Sequence, residues 1–217
     1  MNTIDNDFIK NLFMTNTHHY IMFFTNTGRV YKLKCYEIPE ASRTARGMAI
    51  INLLQLQPGE KVTTMVHFDD FDEDRNLIMA TKKGTIKKTP LSAYMNIRKT
   101  GIQAITLRDD DELIEVKVSD CEQNVLMLTK KGQAIKFAEK DIRETGRSAM
   151  GVKGITLRNG DEVVAMQLET QGEYITFVSA NGYGKRNRFT DFKLQNRGGK
   201  GVKCYNITDK TGEVVGV

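Results

Sequence analysis

Apolar residues of this chain fall in runs of five to seven positions separated by turn residues, a pattern typical of β-strands. After residue 60 these runs form two successive units of four predicted strands each. The predicted strands are Val62–Phe68, Asn76–Thr81, Thr85–Thr89, Gly101–Leu107, Leu113–Val118, Asn124–Thr129, Gln133–Phe137 and Gly151–Leu157. Helical periodicity is weak, and only Ser42–Arg46 and Glu139–Thr145 predict as much as one helical turn. The pattern therefore predicts an all-β protein of repeated four-stranded units.

A glycine hairpin motif recurs four times along the chain. Each copy has a hydroxyl residue, two further residues and a glycine, and a basic residue follows the glycine by four positions. The glycines and their basic residues are Gly28 with Lys32, Gly84 with Lys88, Gly132 with Lys136, and Gly182 with Arg186. Successive glycines are 56, 48 and 50 residues apart. A recurrence near 50 residues is typical of propeller blades or solenoid turns, and a glycine at this position suits a tight hairpin.

A second motif recurs with the same period. It consists of a glycine, an arginine three or four positions before it, and an apolar pair four and six positions after it. The arginine and glycine pairs are Arg43 with Gly47, Arg98 with Gly101, Arg147 with Gly151, and Arg197 with Gly201. The apolar pair of the first copy is Ile51 and Leu53, and a spacing of two predicts a strand with one buried face.

The two motifs divide the chain into repeat units of about 8–57, 61–109, 112–159 and 162–209, with the start of a further unit at 212–217. Units of this kind bury their cores against neighbouring units, so we expect a single propeller-like domain over residues 1–217. The lack of tryptophan excludes the WD type of propeller. Because the last unit is cut short, we expect a part of a longer protein and an incomplete ring.

Charge is modest in total but unevenly distributed over the repeat. The chain has 217 residues, a net charge of +5 and a pI of about 9.0. Basic residues such as Lys82 and Lys83 crowd the hairpin turns, whereas acidic runs such as Asp109–Glu112 occupy a different phase. We therefore expect one basic band and a separate acidic face. No signal peptide, membrane span or cysteine pairing pattern is present, which predicts a cytoplasmic protein.

Three segments carry a resemblance to a known family. They are Phe23–Tyr31 (Phe-Phe-Thr-Asn-Thr-Gly-Arg-Val-Tyr), Tyr36–Gly47 (Tyr-Glu-Ile-Pro-Glu-Ala-Ser-Arg-Thr-Ala-Arg-Gly) and Asn181–Arg186 (Asn-Gly-Tyr-Gly-Lys-Arg). From about residue 5 to its end, the chain resembles the C-terminal domain of the bacterial DNA gyrase A protein, a component of a type IIA topoisomerase. The resemblance implies a six-bladed β-pinwheel, a propeller-like ring whose blades exchange strands.

The resemblance also implies a function. In this family the domain binds duplex DNA around a basic perimeter and wraps it, which supports ATP-dependent negative supercoiling by the gyrase holoenzyme. The catalytic tyrosine and the use of ATP and magnesium lie outside this domain, so no cofactor and no catalysis are expected here. The implied partners are duplex DNA, the gyrase B protein and the rest of the gyrase A protein in an A2B2 assembly.

One heptad resembles the signature box of the family, whose sequence is close to Gln-Arg-Arg-Gly-Gly-Lys-Gly. It matches at six of seven positions and consists of Gln195, Asn196, Arg197, Gly198, Gly199, Lys200 and Gly201. In the family the box belongs to the first blade, whereas here it occupies the last repeat, in the same phase as Gly101 and Gly151. We expect it to form a DNA-facing loop in which glycine backbone and flanking cations contact phosphates.

The phased cations are the strongest sign of a ligand. A basic residue in all four hairpins would place charges along a curved band, suited to the phosphates of a bent duplex and indifferent to base sequence. The candidate DNA-binding residues are Arg29, Lys32, Lys34, Arg43, Arg46, Lys82, Lys83, Lys88, Arg98, Lys130, Lys131, Lys136, Arg147, Lys185, Arg186, Arg188, Arg197 and Lys200. For any single lysine, a solvated strand face is an equally good interpretation.

Other classes of function remain as alternatives. The equivalent domain of topoisomerase IV has the same fold without the box. A propeller that serves only as a protein-interaction scaffold would use the acidic face instead. An enzymatic propeller is disfavoured, because the histidines at 18, 19 and 67 and the acidic turn at 109–111 form no catalytic or metal-binding pattern.

Overall fold

The computed structural model describes residues 9, 11–71, 74–120 and 122–217. Within them the chain forms fifteen strands and six short 3-10 helices. The strands are β1 (Tyr20–Thr25), β2 (Arg29–Lys34), β3 (Val62–Phe68), β4 (Asn76–Thr81), β5 (Thr85–Pro90), β6 (Ile102–Gln103), β7 (Leu113–Ser119), β8 (Asn124–Thr129), β9 (Gln133–Ala138), β10 (Val152–Lys153), β11 (Val163–Leu168), β12 (Tyr174–Ser179), β13 (Gly184–Arg188), β14 (Val202–Lys203) and β15 (Val214–Gly216). The 3-10 helices are η1 (Cys35–Glu37), η2 (Ile50–Asn52), η3 (Leu91–Tyr94), η4 (Glu139–Asp141), η5 (Glu169–Gln171) and η6 (Phe189–Asp191). The all-β prediction is confirmed, and no helix of the described residues could cross a membrane.

Each of four antiparallel sheets is built on one glycine hairpin. Their strand orders are β3-β1-β2-β6, β7-β4-β5-β10, β11-β8-β9-β14 and β15-β12-β13. The strand beside the first hairpin strand comes from the start of the following unit. In the first three sheets, the strand that pairs with the second hairpin strand comes from residues that follow the next hairpin. A sheet therefore differs from a sequence unit: Val62–Phe68 and Ile102–Gln103 belong to the first sheet, although the hairpin between them forms the second.

The hairpin strands were predicted accurately and the outer strands were not. The strands β3, β4 and β8 have the predicted bounds, whereas Gly101–Leu107 and Gly151–Leu157 shrink to two paired residues each. The reason is visible at Gly28, whose carbonyl accepts hydrogen bonds from the amides of both Ala104 (2.8 Å) and Ile105 (3.2 Å). Because both amides bond to one carbonyl, the chain bends around the hairpin tip and the β-ladder ends there.

Successive sheets pack face to face, so both faces of the second and third hairpins are buried. Met22 and Phe24 of β1 pack with Leu77 and Met79 of β4 in one core, and Ile78 on the opposite face of β4 belongs to the next core. A third core joins the third and fourth sheets. This arrangement explains why the hairpin strands have continuous apolar runs rather than alternating ones.

The fourth sheet keeps one face uncovered. In β12, Ile175 and Phe177 are buried against the third sheet, whereas Tyr174, Thr176 and Val178 are exposed. In the described chain nothing packs on this second face, and β13 has no outer neighbour. The apolar and basic side chains of β12 and β13 on this face are therefore accessible.

The second recurrent glycine lets the chain pass close to the preceding hairpin. Gly101, Gly151 and Gly201 have positive φ angles of 72°, 86° and 68°. A Cβ atom at Gly151 would lie 2.6 Å from the carbonyl oxygen of Ile86, and one at Gly201 would lie 2.5 Å from that of Ala134. A side chain at either position would therefore push the outer strand off its hairpin.

Gly47, the first copy of this motif, behaves differently, and the strand predicted after it is wrong. A Cβ atom at Gly47 would meet nothing within 4 Å, and Ile51 lies in the 3-10 helix η2 with 64% of its surface exposed. The outer strands form by pairing with the hairpin of the preceding unit. The described residues contain no hairpin before Tyr20, so the segment after Gly47 has no partner strand.

Replacing Gly151 by alanine tests the close approach. We expect Gly151→Ala to lower the free energy of unfolding by at least about 2 kcal/mol, because a positive φ and a backbone clash act together. Gly146→Ala is the matched control, since a Cβ there meets no atom within 4 Å and its φ is not positive. It should change stability by less than about 0.5 kcal/mol. Urea unfolding measures both, and equal effects would contradict the packing argument.

A lysine is buried between the second sheet and the following unit. Lys87 of β5 is 1% exposed, and its ammonium donates to the carbonyls of Ala104 and Arg147. No carboxylate within the described residues pairs with it. Burial, with a smaller contribution from the charge of Arg147, lowers the pKa of Lys87 to about 8. The equivalent residue of β13, Lys185, is exposed and donates to Cys204 O at 2.9 Å.

The titration of Lys87 makes a prediction for stability. Its folded-state pKa lies below the ordinary value of 10.5, so between pH 8 and 10.5 the unfolded chain holds more protons. Stability attributable to this lysine therefore rises with pH across that window, by at most about 1.4 kcal/mol per pH unit. Urea unfolding of wild type and Lys87→Met at pH 7, 8.5 and 10 should show profiles that diverge as the pH rises. Parallel profiles would contradict the prediction, and Lys185→Met is the control on an exposed lysine.

Candidate nucleic-acid interface

The second and third hairpin turns each meet the acidic run of the following unit. The Asp111 carboxylate accepts from the Lys83 amide at 2.9 Å, and the Asp161 carboxylate accepts from the Lys131 amide at 2.9 Å and from the Thr129 hydroxyl at 2.7 Å. The predicted separation of a basic band from an acidic face is therefore wrong at the hairpin turns. Acidic residues come there because carboxylates satisfy the backbone N–H groups of the turn.

The lysines of the turns are partly neutralised by these runs. Lys82 pairs with Glu162 at 3.6 Å and Lys130 pairs with Glu213 at 3.1 Å. Lys83 and Lys131 instead donate to the carbonyls of the acidic turn, Asp109 O at 3.2 Å and Asn159 O at 2.9 Å. We call this side of the hairpin turns the acidic edge. The predicted phosphate-binding role of these four lysines is weakened by their protein partners.

The four phased cations lie on the sheet face that points toward the next unit. Lys88 and Lys136 are each only 7% exposed. The Lys136 ammonium donates to Phe189 O at 3.2 Å and lies 4.9 Å from the centre of the Phe189 ring. The expected exposure of these two lysines is therefore wrong, because the following unit covers them, and their role as DNA ligands stays a prediction that this burial disfavours. We expect their replacement to destabilise the fold rather than to remove a phosphate contact.

Lys32 and Arg186, the other phased cations, remain accessible. Lys32 is half-buried and donates to the carbonyl of Met95. Burial first, and then the neighbouring charge of Lys34, lower the pKa of Lys32 below its ordinary value. Arg186 is exposed on the uncovered face of the fourth sheet, 4.6 Å from the centre of the Tyr174 ring. Within the described residues, the same sequence position is thus buried in two units, half-buried in one and exposed in one.

The loops that carry the second recurrent motif lie on the other side of the hairpins. We call residues 98–101, 147–151 and 197–201 the box loops, and their glycines contact the second hairpin strands at Tyr31, Ile86 and Ala134. The acidic runs bond instead at the start of the turns, as in the 2.8 Å bond from Lys82 N to Glu112 O. A basic edge therefore borders the second strand of each hairpin, and the acidic edge borders the first.

Hydrogen bonds join successive box loops into a row. The Thr106 hydroxyl, just after the first box loop, donates to Ser148 O of the second at 2.7 Å. The Thr156 hydroxyl, just after the second loop, donates to Gly198 O of the third at 2.6 Å. The position of each loop is thus fixed by its neighbour, which sets the spacing of the charges that the loops carry.

The heptad Gln195–Gly201 forms the third box loop and its approach. Arg197 donates through Nε to Asp141 O at 3.0 Å and through Nη1 to Lys153 O at 2.6 Å. These bonds hold the loop on the preceding unit, so Arg197 is mainly a positioning residue. Lys200 is exposed and free to reach a ligand. The backbone of Gly198 is likewise engaged, since its amide donates to Gly154 O at 2.8 Å.

The remaining predicted residues fall into three groups. Arg43, Arg46, Arg98 and Arg147 are exposed. Lys185 and Arg188 are exposed on β13, where Arg188 approaches Glu173 at 3.8 Å. Arg29 and Lys34 have protein partners: Arg29 pairs with Glu60 at 3.3 Å and donates to Thr100 O at 2.6 Å, and Lys34 donates to His18 O at 2.8 Å.

Two exposed lysines of the basic edge were missed. Lys153 and Lys203 lie on the outer strands β10 and β14, two positions after the box-loop glycines. The same offset from the glycine in both copies is visible in the sequence and could have identified these two lysines. A cleft of about 250 Å³ places Lys153 with Lys83 and Arg108, so cations of two successive repeats converge there.

The comparisons with known proteins agree with this architecture. The family model described as DNA gyrase C-terminal domain, beta-propeller, matches residues 19–68, 75–120, 123–168 and 173–217. The DNA gyrase A protein of Clostridium acetobutylicum is 55% identical over 217 residues, which are 100% of this chain and 26% of the relative. The DNA gyrase A protein of Staphylococcus aureus is 44% identical over 218 residues, with 99% of this chain and 25% of the relative covered. The chain thus spans about a quarter of the length of these relatives.

Two solved structures show the same fold. The C-terminal domain of DNA topoisomerase IV superposes with a TM-score of 0.82 at 27% identity and covers 92% of this chain and 62% of that one. The DNA gyrase A C-terminal domain superposes with a TM-score of 0.79 at 30% identity and covers 92% of this chain and 65% of that one. The strand exchange between units, the hairpin motif and the sequence similarity all indicate the same family. The chain belongs to the DNA gyrase C-terminal domain family of β-propellers.

Proposed function

We propose that this domain binds duplex DNA along the basic edge formed by the box loops and the outer strands, and wraps it with little sequence preference. The observation that carries the proposal is the row of box loops linked through Thr106 and Thr156. Linked loops present exposed cations at intervals set by the fold. Such spacing suits the regular phosphates of a bent duplex better than any single patch would.

The chemistry of the basic edge favours contacts with the phosphate backbone of DNA. Arg98, Arg147, Lys153, Lys200 and Lys203 are exposed, and the charge of the edge is contributed by successive repeats rather than by one loop. Cations on loops and on two-residue strands lack the projecting helix or ribbon that reads base edges in the major groove. Affinity should therefore come from phosphate neutralisation and be strongly dependent on salt.

The wider assignment follows from the relatives. As a domain of the gyrase A protein, the chain would support negative supercoiling without catalysing a step and without binding ATP or magnesium itself. Its partners would be duplex DNA, the rest of the gyrase A protein and the gyrase B protein in an A2B2 holoenzyme, in the bacterial cytoplasm near the nucleoid. The topoisomerase IV alternative is weaker, because whole-chain relatives at 44–55% identity are gyrase A proteins. The scaffold alternative would place function on the acidic edge.

Neutralising the basic edge tests the proposal. The triple variant Lys153→Gln, Lys200→Gln, Lys203→Gln should bind a 150-base-pair duplex more weakly, and the log–log dependence of affinity on salt should become shallower by about 0.9 for each phosphate that is no longer neutralised. Fluorescence anisotropy at several salt concentrations measures both quantities. All three side chains are exposed, so the fold should be preserved.

The matched control removes the same charge from the acidic edge through Lys82→Gln, Lys130→Gln, Lys210→Gln. Two of these lysines are already paired with carboxylates, and Lys210 lies 5.4 Å from the Tyr183 ring. If the control loses as much affinity as the basic-edge variant, net charge rather than a path along the box loops explains binding. A wild-type domain that fails to bind duplex DNA at low salt would refute the proposed function altogether.

A further inference from the structure

We propose that one cleft at the basic edge, lined by Lys32, Arg98 and Arg147, is a dedicated site for a single backbone phosphate and anchors one end of the DNA path. The inference rests on the proposed function. It adds that the affinity for DNA phosphates differs from place to place along the basic edge. The cleft has a volume of about 540 Å³, and its other lining residues are Met95, Asn96, Ile97 and Ile102. Three cations and no carboxylate line it within the described part of the chain.

The three cations come from three successive repeat units. Lys32 belongs to the first hairpin, Arg98 to the first box loop and Arg147 to the second box loop. Neither arginine side chain makes a hydrogen bond or an ion pair within the described residues, and both are exposed. Two unengaged guanidinium groups that face one cleft repel each other until an anion lies between them. Arginine also has the donor geometry that grips phosphate with two parallel hydrogen bonds.

Lys32 contributes a charge held at a fixed position. Its ammonium donates to the Met95 carbonyl, and it lies 4.7 Å from the Phe71 ring centre and 5.2 Å from the Tyr20 ring centre. Within the described residues it has no carboxylate in an ion pair. The single carbonyl bond leaves two N–H donors for a ligand. A half-buried cation of this kind gains more from an anion than a fully hydrated one, because less water must be displaced.

The walls of the cleft suit a nucleic-acid backbone. Met95 is 49% exposed, and Ile97 and Ile102 are half-buried, so apolar surface is available to a sugar next to the phosphate. The Asn96 side chain adds a neutral hydrogen-bonding group. The cleft is larger than one phosphate requires, which leaves room for the flanking sugars of a continuous strand.

The equivalent cleft one unit further on is closed. The corresponding residues are Lys88, Arg147 and Arg197, by their positions relative to the recurrent glycines. Lys88 is 7% exposed, and Arg197 is turned to Asp141 O and Lys153 O. The cleft at Lys32 is therefore a feature of one position rather than of the repeat, and it should dominate the affinity of a short duplex.

A phosphate in this cleft would join segments that are distant in sequence. Residues 32, 98 and 147 meet only when the hairpins have exchanged strands, so the ligand binds the folded arrangement and not the unfolded chain. Such a ligand raises the melting temperature, and the shift grows with the logarithm of its concentration once that concentration exceeds Kd. This effect gives the site a readout that is independent of DNA wrapping.

The experiment compares two variants of the full chain. Arg98→Gln, Arg147→Gln removes the exposed cations of the cleft, and Arg143→Gln, Arg158→Gln removes the same charge from exposed positions outside it. A 12-base-pair duplex is the probe, with affinity and its salt dependence measured by anisotropy. Charge-assisted hydrogen bonds predict at least about tenfold weaker binding for the cleft variant and a salt slope shallower by about 0.9. The control should retain the wild-type slope.

Thermal unfolding with and without the 12-base-pair duplex supplies the second readout, and Lys32→Met supplies a further variant. The duplex should raise the melting temperature of wild type and control, and raise it less for the cleft variant. Equal affinities and equal shifts for cleft variant and control would overturn the anchor, while the loss seen with Lys153→Gln, Lys200→Gln, Lys203→Gln would still support the basic edge. Absence of binding by wild type would overturn both proposals.

Discussion

The stacking of the central units depends on one interaction: in the second and third hairpins, a carboxylate from the following unit completes the turn. Asp111 accepts from the Lys83 and Glu112 amides, and Asp161 makes the equivalent bonds in the next unit. In the first hairpin Glu60 instead binds side chains, accepting from the hydroxyls of Thr25 at 3.1 Å, Thr27 at 3.0 Å and Tyr31 at 2.6 Å. The turn amides of Lys83 and Lys131 thus have their acceptors in the following unit, so the folding of these two units is coupled to that of their successors.

The same dependence distributes charge over the surface. Carboxylates are drawn to the first strand of each hairpin because they cap its turn. The outer strands, which glycines such as Gly151 allow to approach closely, bring arginine and lysine to the second strand. Basic and acidic residues therefore separate across the width of a hairpin, although both belong to the same turn. This packing supports the proposed DNA path along one edge of the domain.

Sequence patterns were sufficient for the hairpins but not for their surroundings. Apolar runs define β4 and β8 correctly, because the continuous burial of both faces leaves a clear signal. Which strand joins which hairpin depends on partners about 70 residues away, as in the pairing of Arg29 with Gln103, and local periodicity contains no such information. For the same reason Lys88 and Lys136 looked like surface cations. Their burial is decided by residues of the next unit, which the pattern of one hairpin does not contain.

The strand β13 shows a further consequence of placing cations on a hairpin. Its sequence, Gly-Lys-Arg-Asn-Arg, leaves an open row of backbone donors and acceptors in the described chain. Open edges of this kind invite pairing with another copy, and positively charged side chains are a common protection against it. Lys185, Arg186 and Arg188 give this strand three positive charges, so a second copy brought to the same edge would meet electrostatic repulsion. Salt screens this repulsion, so a higher ionic strength would weaken the protection of the strand edge.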